Sequence, residues 1–435
     1  MPRYGSAYSN SAKANHKLRD EFGMTLSVKL RCCLNFCPFS FSSVLPYLLL
    51  MERQQRYIAH LDLDCFFVSV ERINDPSLIG KPVAVGGTGR RGVISSASYE
   101  ARKFGVRSAM PTGQALDLCP GLIVVRGSHG QYGKISKRLY AFLCNYAPIV
   151  QQASIDEMYM DFTGCEKLYN NDLPRLMRTL QQLVKKEFHL PCTIALSSNK
   201  VVSKIATGCI KPEGCLTIEH GKEKEFLAPL DISVIPGVGK KTEAELRKYD
   251  INIIRDLQSL SKKTLEAILG DHGGYFHRTA MGVGSDILEV EWKRKSISNE
   301  NTFGKDIADK KELLGHLFDL TESVCHNTRR YGWKGKTVKL KLRYSNFSTI
   351  TRNVTLNEST NDDKVVFVAV KGLFLKAYTR KMPVRLLGVG LTQFSEAAEE
   401  PLSLFPVDEK RSHALSAVDK LRKKFGNDSI HTGAV

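Results

Sequence analysis

The most informative segment of the chain is His60-Leu61-Asp62-Leu63-Asp64-Cys65-Phe66-Phe67, which places two carboxylates in an apolar run typical of a buried strand. Side chains alternate between the faces of a strand, so Asp62 and Asp64 are expected on one face and Leu61 and Leu63 on the other. A carboxylate is costly to remove from water unless a cation compensates it. The segment therefore predicts a cation site at a strand end; a solvated strand end, or an ion pair with Lys or Arg, is the alternative.

A second acidic segment, Ala153-Ser154-Ile155-Asp156-Glu157-Met158-Tyr159-Met160-Asp161, interrupts another apolar run. Asp156 and Glu157 would point to opposite faces of a regular strand, but a tight turn between two strands brings both to one side. Three carboxylates that meet in space repel one another. Such carboxylates are usually compensated by a pair of Mg²⁺ ions, which prefer oxygen ligands and are coordinated by substrate phosphates as well as by the protein.

Composition narrows the class of protein. The chain has 435 residues, 42% of them hydrophobic, which is enough for several domains. Lys and Arg outnumber Asp and Glu by 63 to 45, and the net charge of +18 favours a polyanionic partner such as nucleic acid over the alternative of a generally basic protein. The 11 cysteines form no Cys-x-x-Cys pair, which indicates reduced thiols in a cytoplasmic protein. No stretch of the main body is long and apolar enough to span a bilayer.

Residues 1–50 differ from the rest of the chain. Their apolar part, Val44-Leu45-Pro46-Tyr47-Leu48-Leu49-Leu50, imitates a signal sequence, but it lies deep in the chain, contains a proline and lacks a small-residue cleavage site. We expect Met51 to be the working initiator and residues 1–50 to be an extension outside the native fold. N-terminal sequencing of the native protein tests this expectation.

Short strands and helices alternate from Tyr57 to about Val125. The glycine-rich turn Gly86–Gly92 lacks the Gly-Lys-Ser/Thr that a phosphate loop requires. A helix starting near Ser98 places Tyr99 and Arg102 on one face, and arginine is well suited to bind phosphate. The alternative for these two residues is an ordinary surface pair.

Longer elements surround the second acidic segment. They are predicted as a helix at 130–148, a helix at 173–188, a strand at 193–198 and a helix at 201–210. Asn199 is a suitable cap for the last helix. Lys204 and Lys211 are seven residues apart and are expected on one side of it.

Around residue 220 the pattern changes to short helices. The turn Pro236-Gly237-Val238-Gly239 resembles a helix-hairpin-helix, in which glycines let the backbone approach a phosphate and the next helix offers free N–H groups. Such a motif binds DNA backbone without reading sequence. Gly237, Gly239 and Lys240 are therefore candidate DNA contacts, and a plain helix–helix connection is the alternative.

A basic linker, Lys293-Arg294-Lys295-Ser296, precedes a β-α-β-β-α-β pattern that predicts a four-stranded split βαβ domain. The predicted elements lie at 297–304, 310–331, 336–344, 348–356, 362–379 and 383–394. Lys339, Lys341 and Arg343 lie along one strand, with Arg329 expected nearby, and predict either a DNA-backbone surface or a solvated strand face.

The tail contains the apolar cluster Pro401-Leu402-Ser403-Leu404-Phe405-Pro406 within polar sequence. Such a cluster is a candidate ligand for the groove of another protein, and packing against its own chain is the alternative. The final segment, Ser412–Phe425, has the pattern of a basic amphipathic helix.

Together these segments resemble the Y-family translesion DNA polymerases, and most closely their bacterial DNA polymerase IV branch. The resemblance runs from about Tyr57 to Phe394 and depends on five motifs in the family's order and spacing. The motifs are Asp62-Leu63-Asp64-Cys65-Phe66-Phe67, Tyr99-Glu100-Ala101-Arg102-Lys103-Phe104-Gly105, Ser154-Ile155-Asp156-Glu157, Lys204-Ile205-Ala206 with Lys211-Pro212, and Pro236-Gly237-Val238-Gly239.

The resemblance implies an α+β right-hand polymerase fold with palm, fingers and thumb, followed by a C-terminal βαββαβ little-finger domain. The implied segments are an N-terminal extension (1–50), palm (55–64 and 130–220), fingers (65–129), thumb with the helix-hairpin-helix (221–292), linker (293–297), little finger (298–395) and tail (396–435).

The same matching implies roles for individual residues. Asp62, Asp156 and Glu157 would be the catalytic acids and would bind two Mg²⁺ ions, with the Leu63 carbonyl as a further ligand. Phe67 would be the steric gate that excludes a ribose 2′-hydroxyl. The incoming nucleotide would be held by Phe66, Phe67, Tyr99, Arg102 and Lys211.

The implied activity is template-directed, low-fidelity translesion synthesis without proofreading, since no exonuclease segment is visible. Implied partners are primer-template DNA, dNTP and a sliding clamp bound through Leu402, Leu404 and Phe405, although Pro401 replaces the usual glutamine. A cytoplasmic monomer without membrane association is expected. Two alternatives stay open: an inactive DNA- and clamp-binding scaffold, and another two-metal palm enzyme such as a nucleotide cyclase.

Overall fold

The computed structural model describes residues 55–291, 293–379, 382–396, 409–426 and 429–430. They form two compact units that divide after Glu291. The expectations for residues 1–50 and for the Leu402–Phe405 peptide lie outside the described residues.

The first unit contains two sheets. Its strands are β1 (Ile58–Leu63), β2 (Val83–Gly86), β3 (Ile94–Ala97), β4 (Ile123–Val125), β5 (Ile149–Gln152), β6 (Glu157–Asp161), β7 (Cys192–Ser197) and β8 (Cys215–Thr217). Its helices are α1 (Phe66–Asn74), α2 (Tyr99–Lys103), α3 (Thr112–Leu118), α4 (His129–Leu143), α5 (Leu173–Phe188), α6 (Lys200–Cys209), α7 (Glu223–Leu227), α8 (Lys240–Arg247), α9 (Ile254–Ser259), α10 (Lys262–Leu269) and α11 (Gly273–Ala280).

The five-stranded central sheet has the order β5-β6-β1-β7-β8, with β1 in the middle and antiparallel to both neighbours. All six residues of β1 are buried. Leu61 and Leu63 pack in the core formed with α4 and α5, whereas α6 packs on β1 and β7 with a different set of apolar residues. The predicted alternation along β1 is therefore confirmed, and it directs Asp62 away from the α4–α5 core.

The helix α5 shows why the local sequence folds as predicted. Its buried residues recur at helical spacing and form one apolar face; they are Leu173, Leu176, Met177, Leu180, Leu183 and Val184. Asp172 caps the helix by accepting a hydrogen bond from the Arg175 backbone N–H at 2.9 Å. Asn199 does the same for α6, accepting from the Val202 N–H at 3.1 Å, which confirms the cap expected there.

A smaller three-stranded sheet, β3-β2-β4, lies between α1 and α4 along the chain. The residues after 220 form the short helices α7 to α11 around an apolar cluster that includes Leu246, Leu265 and Phe276. This change of character is the one expected from the sequence.

The second unit follows the predicted order of elements. Its elements are β9 (Ser296–Ile307), α12 (Lys310–Arg330), β10 (Trp333–Tyr344), β11 (Thr349–Thr360), α13 (Asp363–Ala377), β12 (Val384–Glu396) and α14 (Glu409–Phe425). The sheet is antiparallel with the order β11-β10-β12-β9. Apolar residues of α12 and α13 form its core together with alternate residues of β10. The four-stranded split βαβ prediction is confirmed.

Buried ion pairs attach the terminal helix α14 to this unit. Arg329 on α12 donates from Nε to Asp419 Oδ2 and from Nη1 to Asp363 Oδ1, both at 2.7 Å. Arg422 donates to Glu322 Oε1 at 3.2 Å. The expectation that Arg329 joins the basic strand surface is therefore wrong, because its side chain is only 11% exposed and is bound by carboxylates between helices.

Two further expectations concern the whole chain. Within the described ranges, no helix has the length and apolar content needed to cross a membrane. Each cysteine that the structure describes is a thiol outside any disulfide bond.

Candidate active site

The three predicted catalytic acids lie at neighbouring strand ends of the central sheet. Asp62 on β1 and Glu157 on β6 are directly opposed in the antiparallel register. Directly opposed residues have Cβ atoms about 4.5–5.5 Å apart and project from the same face. The Leu63 N–H donates to the Asp156 carbonyl at 3.0 Å. The fold therefore brings together acids that are far apart in the sequence.

A tight turn between β5 and β6 holds Asp156 and Glu157. The Ala153 and Ser154 N–H groups donate to the Glu157 carbonyl at 3.0 and 3.2 Å. The Ser154 hydroxyl accepts from the Glu157 N–H at 3.0 Å and from the Asp156 N–H at 3.2 Å, and it donates to the Asp156 carboxylate. The turn predicted from the adjacent acids is confirmed.

Lysines neutralise two of these acids. Lys211 Nζ contacts the Asp62 carboxylate, and Lys204 Nζ contacts the Glu157 carboxylate. Lys211 lies just beyond the end of α6, and both lysines reach the opposed acids, which agrees with the expectation that they lie on one side. Across the described part of the chain, no three or more His, Cys, Asp or Glu side chains are arranged as a metal cluster.

The environments of the acids shift their pKa values in opposite directions. Burial raises the pKa of Asp62 to about 6, although Lys211 opposes the shift, and the charges of Glu157 and Asp156 add to it. His60, whose Nε2 lies 3.7 Å from Glu157 Oε2, and Lys204 lower the pKa of Glu157 to about 2. Both carboxylates already have a lysine as counter-charge, and a set of carboxylate oxygens fits a hard divalent ion such as Mg²⁺.

Two adjacent phenylalanines at the start of α1 have different surroundings. Phe66 is 2% exposed and belongs to the core, so only its backbone is available to a nucleotide. Phe67 is partly exposed, and its ring stacks on Tyr132 with centroids 4.3 Å apart and planes at 19°. Sequence reasoning missed Tyr132, whose only signal is an aromatic residue within the amphipathic segment 130–148.

Tyr132 is held in turn by polar groups. Its hydroxyl donates to the Glu71 carboxylate and accepts from the Ser128 N–H at 3.0 Å. The Glu71 carboxylate also accepts from the Ser128 N–H at 2.9 Å. The surface against which Phe67 packs is therefore fixed by hydrogen bonds.

The candidate triphosphate residues of α2 lie together. The Arg102 guanidinium lies over the Tyr99 ring, 4.9 Å from its centroid, and donates from Nε to the Ala97 carbonyl at 3.0 Å. The Tyr99 hydroxyl donates to Asp64 Oδ1 at 3.1 Å. Burial and the neighbouring Asp64 raise the pKa of Tyr99, so its hydroxyl stays a donor. The shared face predicted for Tyr99 and Arg102 is confirmed.

The candidate DNA contacts of the first unit occupy the turn before α8. Gly237 has a φ of +97°, a conformation that disfavours residues with a Cβ. Gly239 is the N-terminal cap of α8 and supplies no side-chain bond to the first turn. Lys240 is exposed at the first helical position. The first-turn N–H groups are thus of the kind that bind phosphate.

The candidate DNA contacts of the second unit lie on β10. Lys339, Lys341 and Arg343 alternate with buried Val338, Leu340 and Leu342 and therefore project from the face of the sheet opposite the core. Lys341 Nζ binds Glu300 at 2.6 Å, and Arg343 Nε donates to the Thr349 hydroxyl at 2.8 Å.

Comparison with protein families matches three segments of the chain. Residues 61–208 match the impB/mucB/samB family, residues 294–404 match the C-terminal domain of that family, and residues 220–251 match the IMS family HHH motif. The last match contains the turn at Gly237.

Individual proteins give the same result. DNA polymerase IV of Dehalococcoides mccartyi is 36% identical over 380 residues, covering 87% of this chain and 97% of the relative. DNA polymerase IV of Caulobacter vibrioides is 36% identical over 377 residues, covering 86% and 93%.

Solved structures extend the likeness to the fold. A Y-family DNA polymerase chimera of Dbh and Dpo4 matches with a TM-score of 0.68 and 27% identity, and an insertion ternary complex of Dbh DNA polymerase matches with 0.56 and 26%. Each match covers 78% of this chain and 98% of the solved one. The α+β architecture expected from the sequence is that of these polymerases. The chain therefore belongs to the Y family of DNA polymerases, in the group of the translesion enzyme DNA polymerase IV.

Proposed function

We propose that this polymerase joins dNTPs to a primer with two Mg²⁺ ions held by Asp62, Asp156 and Glu157, with the Leu63 carbonyl as a further ligand. The observation that carries the proposal is the direct register of Asp62 with Glu157 beside Asp156, in a site where lysines already supply counter-charge. When bound, the ions supply positive charge that favours ionisation of the primer 3′-hydroxyl and departure of pyrophosphate.

The reaction forms a bond from the primer 3′-oxygen to the α-phosphorus of the dNTP. The bond from that phosphorus to the β-phosphate oxygen breaks, pyrophosphate leaves, and the hydroxyl proton passes to water. The carboxylates of Asp62, Asp156 and Glu157 would hold the two ions next to the reacting phosphate. Lys211, once it leaves Asp62, and Arg102 offset the charge on the triphosphate.

Selection of the sugar is assigned to Phe67, whose ring would occupy the space of a ribose 2′-hydroxyl. Its stacking on Tyr132 supports this role, because a gate requires a ring that cannot move aside. The Phe66 backbone and Tyr99 complete the nucleotide contacts. Low fidelity without proofreading is proposed for the synthesis past damaged template.

The duplex would be held by two surfaces. The Pro236–Gly239 turn, through Gly237, Gly239 and Lys240, would bind backbone phosphates. The outward face of β10, through Lys339, Lys341 and Arg343, would bind others. We assign the palm to 55–64 and 130–220, the fingers to 65–129, the thumb to 221–292 and the little finger to 298–395.

A sliding clamp is the proposed protein partner, through Leu402, Leu404 and Phe405. Deletion of residues 400–406 is expected to reduce clamp-stimulated synthesis and to leave synthesis without the clamp unchanged. Equal stimulation of both proteins would remove this assignment. A monomer in the cytoplasm is proposed.

Primer extension with Mg²⁺ and dNTPs tests the mechanism, comparing the wild type with Asp156→Ala and Glu157→Ala. Asp161→Asn is the matched control, because Asp161 is a buried acid at the other end of β6 that binds Arg56. The proposal is supported if the wild type and Asp161→Asn extend the primer and the two alanine variants do not. Primer-template binding without extension by the wild type would favour a DNA-binding scaffold.

A further inference from the structure

Asp64 is the most connected carboxylate near the candidate active site, and the proposed chemistry does not use it. The residue is 1% exposed. Its carboxylate accepts from the Tyr99 hydroxyl at 3.1 Å, from the Thr193 hydroxyl at 3.1 and 3.0 Å to its two oxygens, and from the Glu213 N–H at 2.8 Å. Asp62, two residues earlier, is instead bound by Lys211.

The donors come from separate parts of the first unit. Tyr99 begins α2, Thr193 lies in β7, and Glu213 follows α6. Tyr99 and Glu213 belong to the two segments that would hold the triphosphate. The Tyr99 ring lies under the Arg102 guanidinium, and Glu213 lies two residues after Lys211. One buried carboxylate therefore connects the two sides of the nucleotide site.

We propose that Asp64 is a positioning residue that sets the separation between the Tyr99–Arg102 face and the Lys211 loop, and thereby the affinity for the incoming triphosphate. This inference rests on the proposed function of those residues. Asp64 touches neither the substrate nor the metal ions in this scheme.

A carboxylate is required at this position for a chemical reason. It only accepts hydrogen bonds, and all its partners here are donors. The two hydroxyls can rotate and become acceptors, but the Glu213 N–H cannot. An asparagine amide can keep its oxygen on the Glu213 N–H, but its NH2 group then faces the Tyr99 hydroxyl, whose own proton loses its acceptor. The Glu213 backbone has a φ of +52°, so its conformation depends on such a bond to hold it.

The test is Asp64→Asn in the full-length protein. Expected is a rise of about tenfold or more in the KM for dNTP, with a smaller change in kcat and with the Kd for primer-template within about twofold of the wild type. Equilibrium binding of dNTP to the complex with a dideoxy-terminated primer, in Mg²⁺, should weaken by the same factor without any reaction. Asp161→Asn is the control and should leave both values unchanged.

Single-bond variants keep the inference testable if Asp64→Asn does not fold. Tyr99→Phe should raise the KM for dNTP several-fold. Thr193→Val removes a hydrogen bond between Asp64 and β7, which does not hold the nucleotide, and should change the KM by less than about twofold. In a double-mutant cycle, Asp64→Asn with Tyr99→Phe should raise KM by less than the product of the single effects.

An unchanged KM for dNTP in Asp64→Asn would overturn this role. A fall in kcat that only matches the fraction of unfolded protein would also overturn it, because it would show an effect on stability alone. Equal KM effects of Tyr99→Phe and Thr193→Val would also overturn it. Failure of the wild type to extend a primer would instead refute the proposed function, so the two failures are distinguishable.

Discussion

The candidate active site and the α14 attachment both join carboxylates to basic side chains, but they differ in the cation and in access to water. Lys204 and Glu157 are 34% and 24% exposed, whereas Arg422 and Glu322 are each 5% exposed. A lysine ammonium is a mobile point charge, while an arginine fork is bound in one geometry by two or more oxygens. The first cluster is suited to exchanging its cations and the second to keeping them.

The two clusters of charges differ in how permanently their carboxylates are compensated. Acids at the ends of adjacent strands repel one another, and partly exposed lysines compensate two of them here. Asp363 and Asp419 instead share Arg329 between helices, so their charges are permanently compensated. The variants below separate loss of chemistry from loss of stability.

The largest expected effect is on catalysis. Glu157→Ala should lower kcat by about 10⁴-fold, equivalent to about 5 kcal/mol on the barrier, because it removes one of the three acids proposed to hold the ions. The melting temperature should change little, since Lys204 is partly exposed and can return to water. Single-turnover primer extension and thermal unfolding measure the two effects. A large loss of stability would show that this cluster is structural as well.

The reverse result is expected in the second unit. Glu322→Ala leaves Arg422 buried without this carboxylate and should lower the free energy of unfolding by about 3–5 kcal/mol. Glu322→Gln keeps a hydrogen-bond acceptor and should cost less. Denaturant unfolding measures the loss, and kcat for primer extension should be unchanged at temperatures where the variant is folded. A fall in kcat of the folded variant would contradict the division between the clusters.

Two adjacent phenylalanines of α1 show the same contrast between function and stability, because Phe66 is buried and Phe67 is partly exposed. Phe67→Ala should increase the relative kcat/KM for ribonucleotides by about 10²-fold, by opening space for the 2′-hydroxyl. Phe66→Ala should instead cost about 3–5 kcal/mol of stability, because its ring is in the core. Competitive incorporation of dNTP and rNTP measures the first effect. Unchanged sugar selection in Phe67→Ala would remove it from the gate.

The smallest expected effect is a pH dependence in the second unit. Burial raises the pKa of Asp419, but hydrogen bonds from Arg329 and His326 outweigh it and hold the pKa below its usual value. Because its pKa is lowered in the folded state, ionised Asp419 stabilises the fold at pH values above the usual aspartate pKa of about 3.9. This stabilisation is lost as the pH falls through the lowered pKa. The stability difference between wild type and Asp419→Asn, about 1–2 kcal/mol at neutral pH, should therefore shrink below about pH 4. Urea unfolding at several pH values measures it, and a constant difference would contradict the role of the charge.

Much of the fold was predictable because its signals are local. The periodicity of α5, the cap at Asn199 and the order of elements in the second unit depend on neighbouring residues along the chain, and the structure agrees with each to within a few residues. The meeting of Asp62 with Asp156 and Glu157 was implied by motifs and not by any local pattern. The helix that carries Lys204 was predicted to within one residue at each end, but the pairing of Lys204 with Glu157 and of Lys211 with Asp62 is not visible in the sequence.

The sequence alone determined the strand that carries Asp62, the turn at Asp156, the class of fold and the family, because alternation and motif spacing are written along the chain. The partners of individual side chains became visible only in the folded molecule: Lys204 binds Glu157, Tyr132 stacks on Phe67, Arg329 binds two aspartates, and Asp64 accepts from three separate donors. The physical reason is that hydrogen bonds and ion pairs form across a few ångströms of space, and residues distant in sequence reach that separation only after the chain has packed.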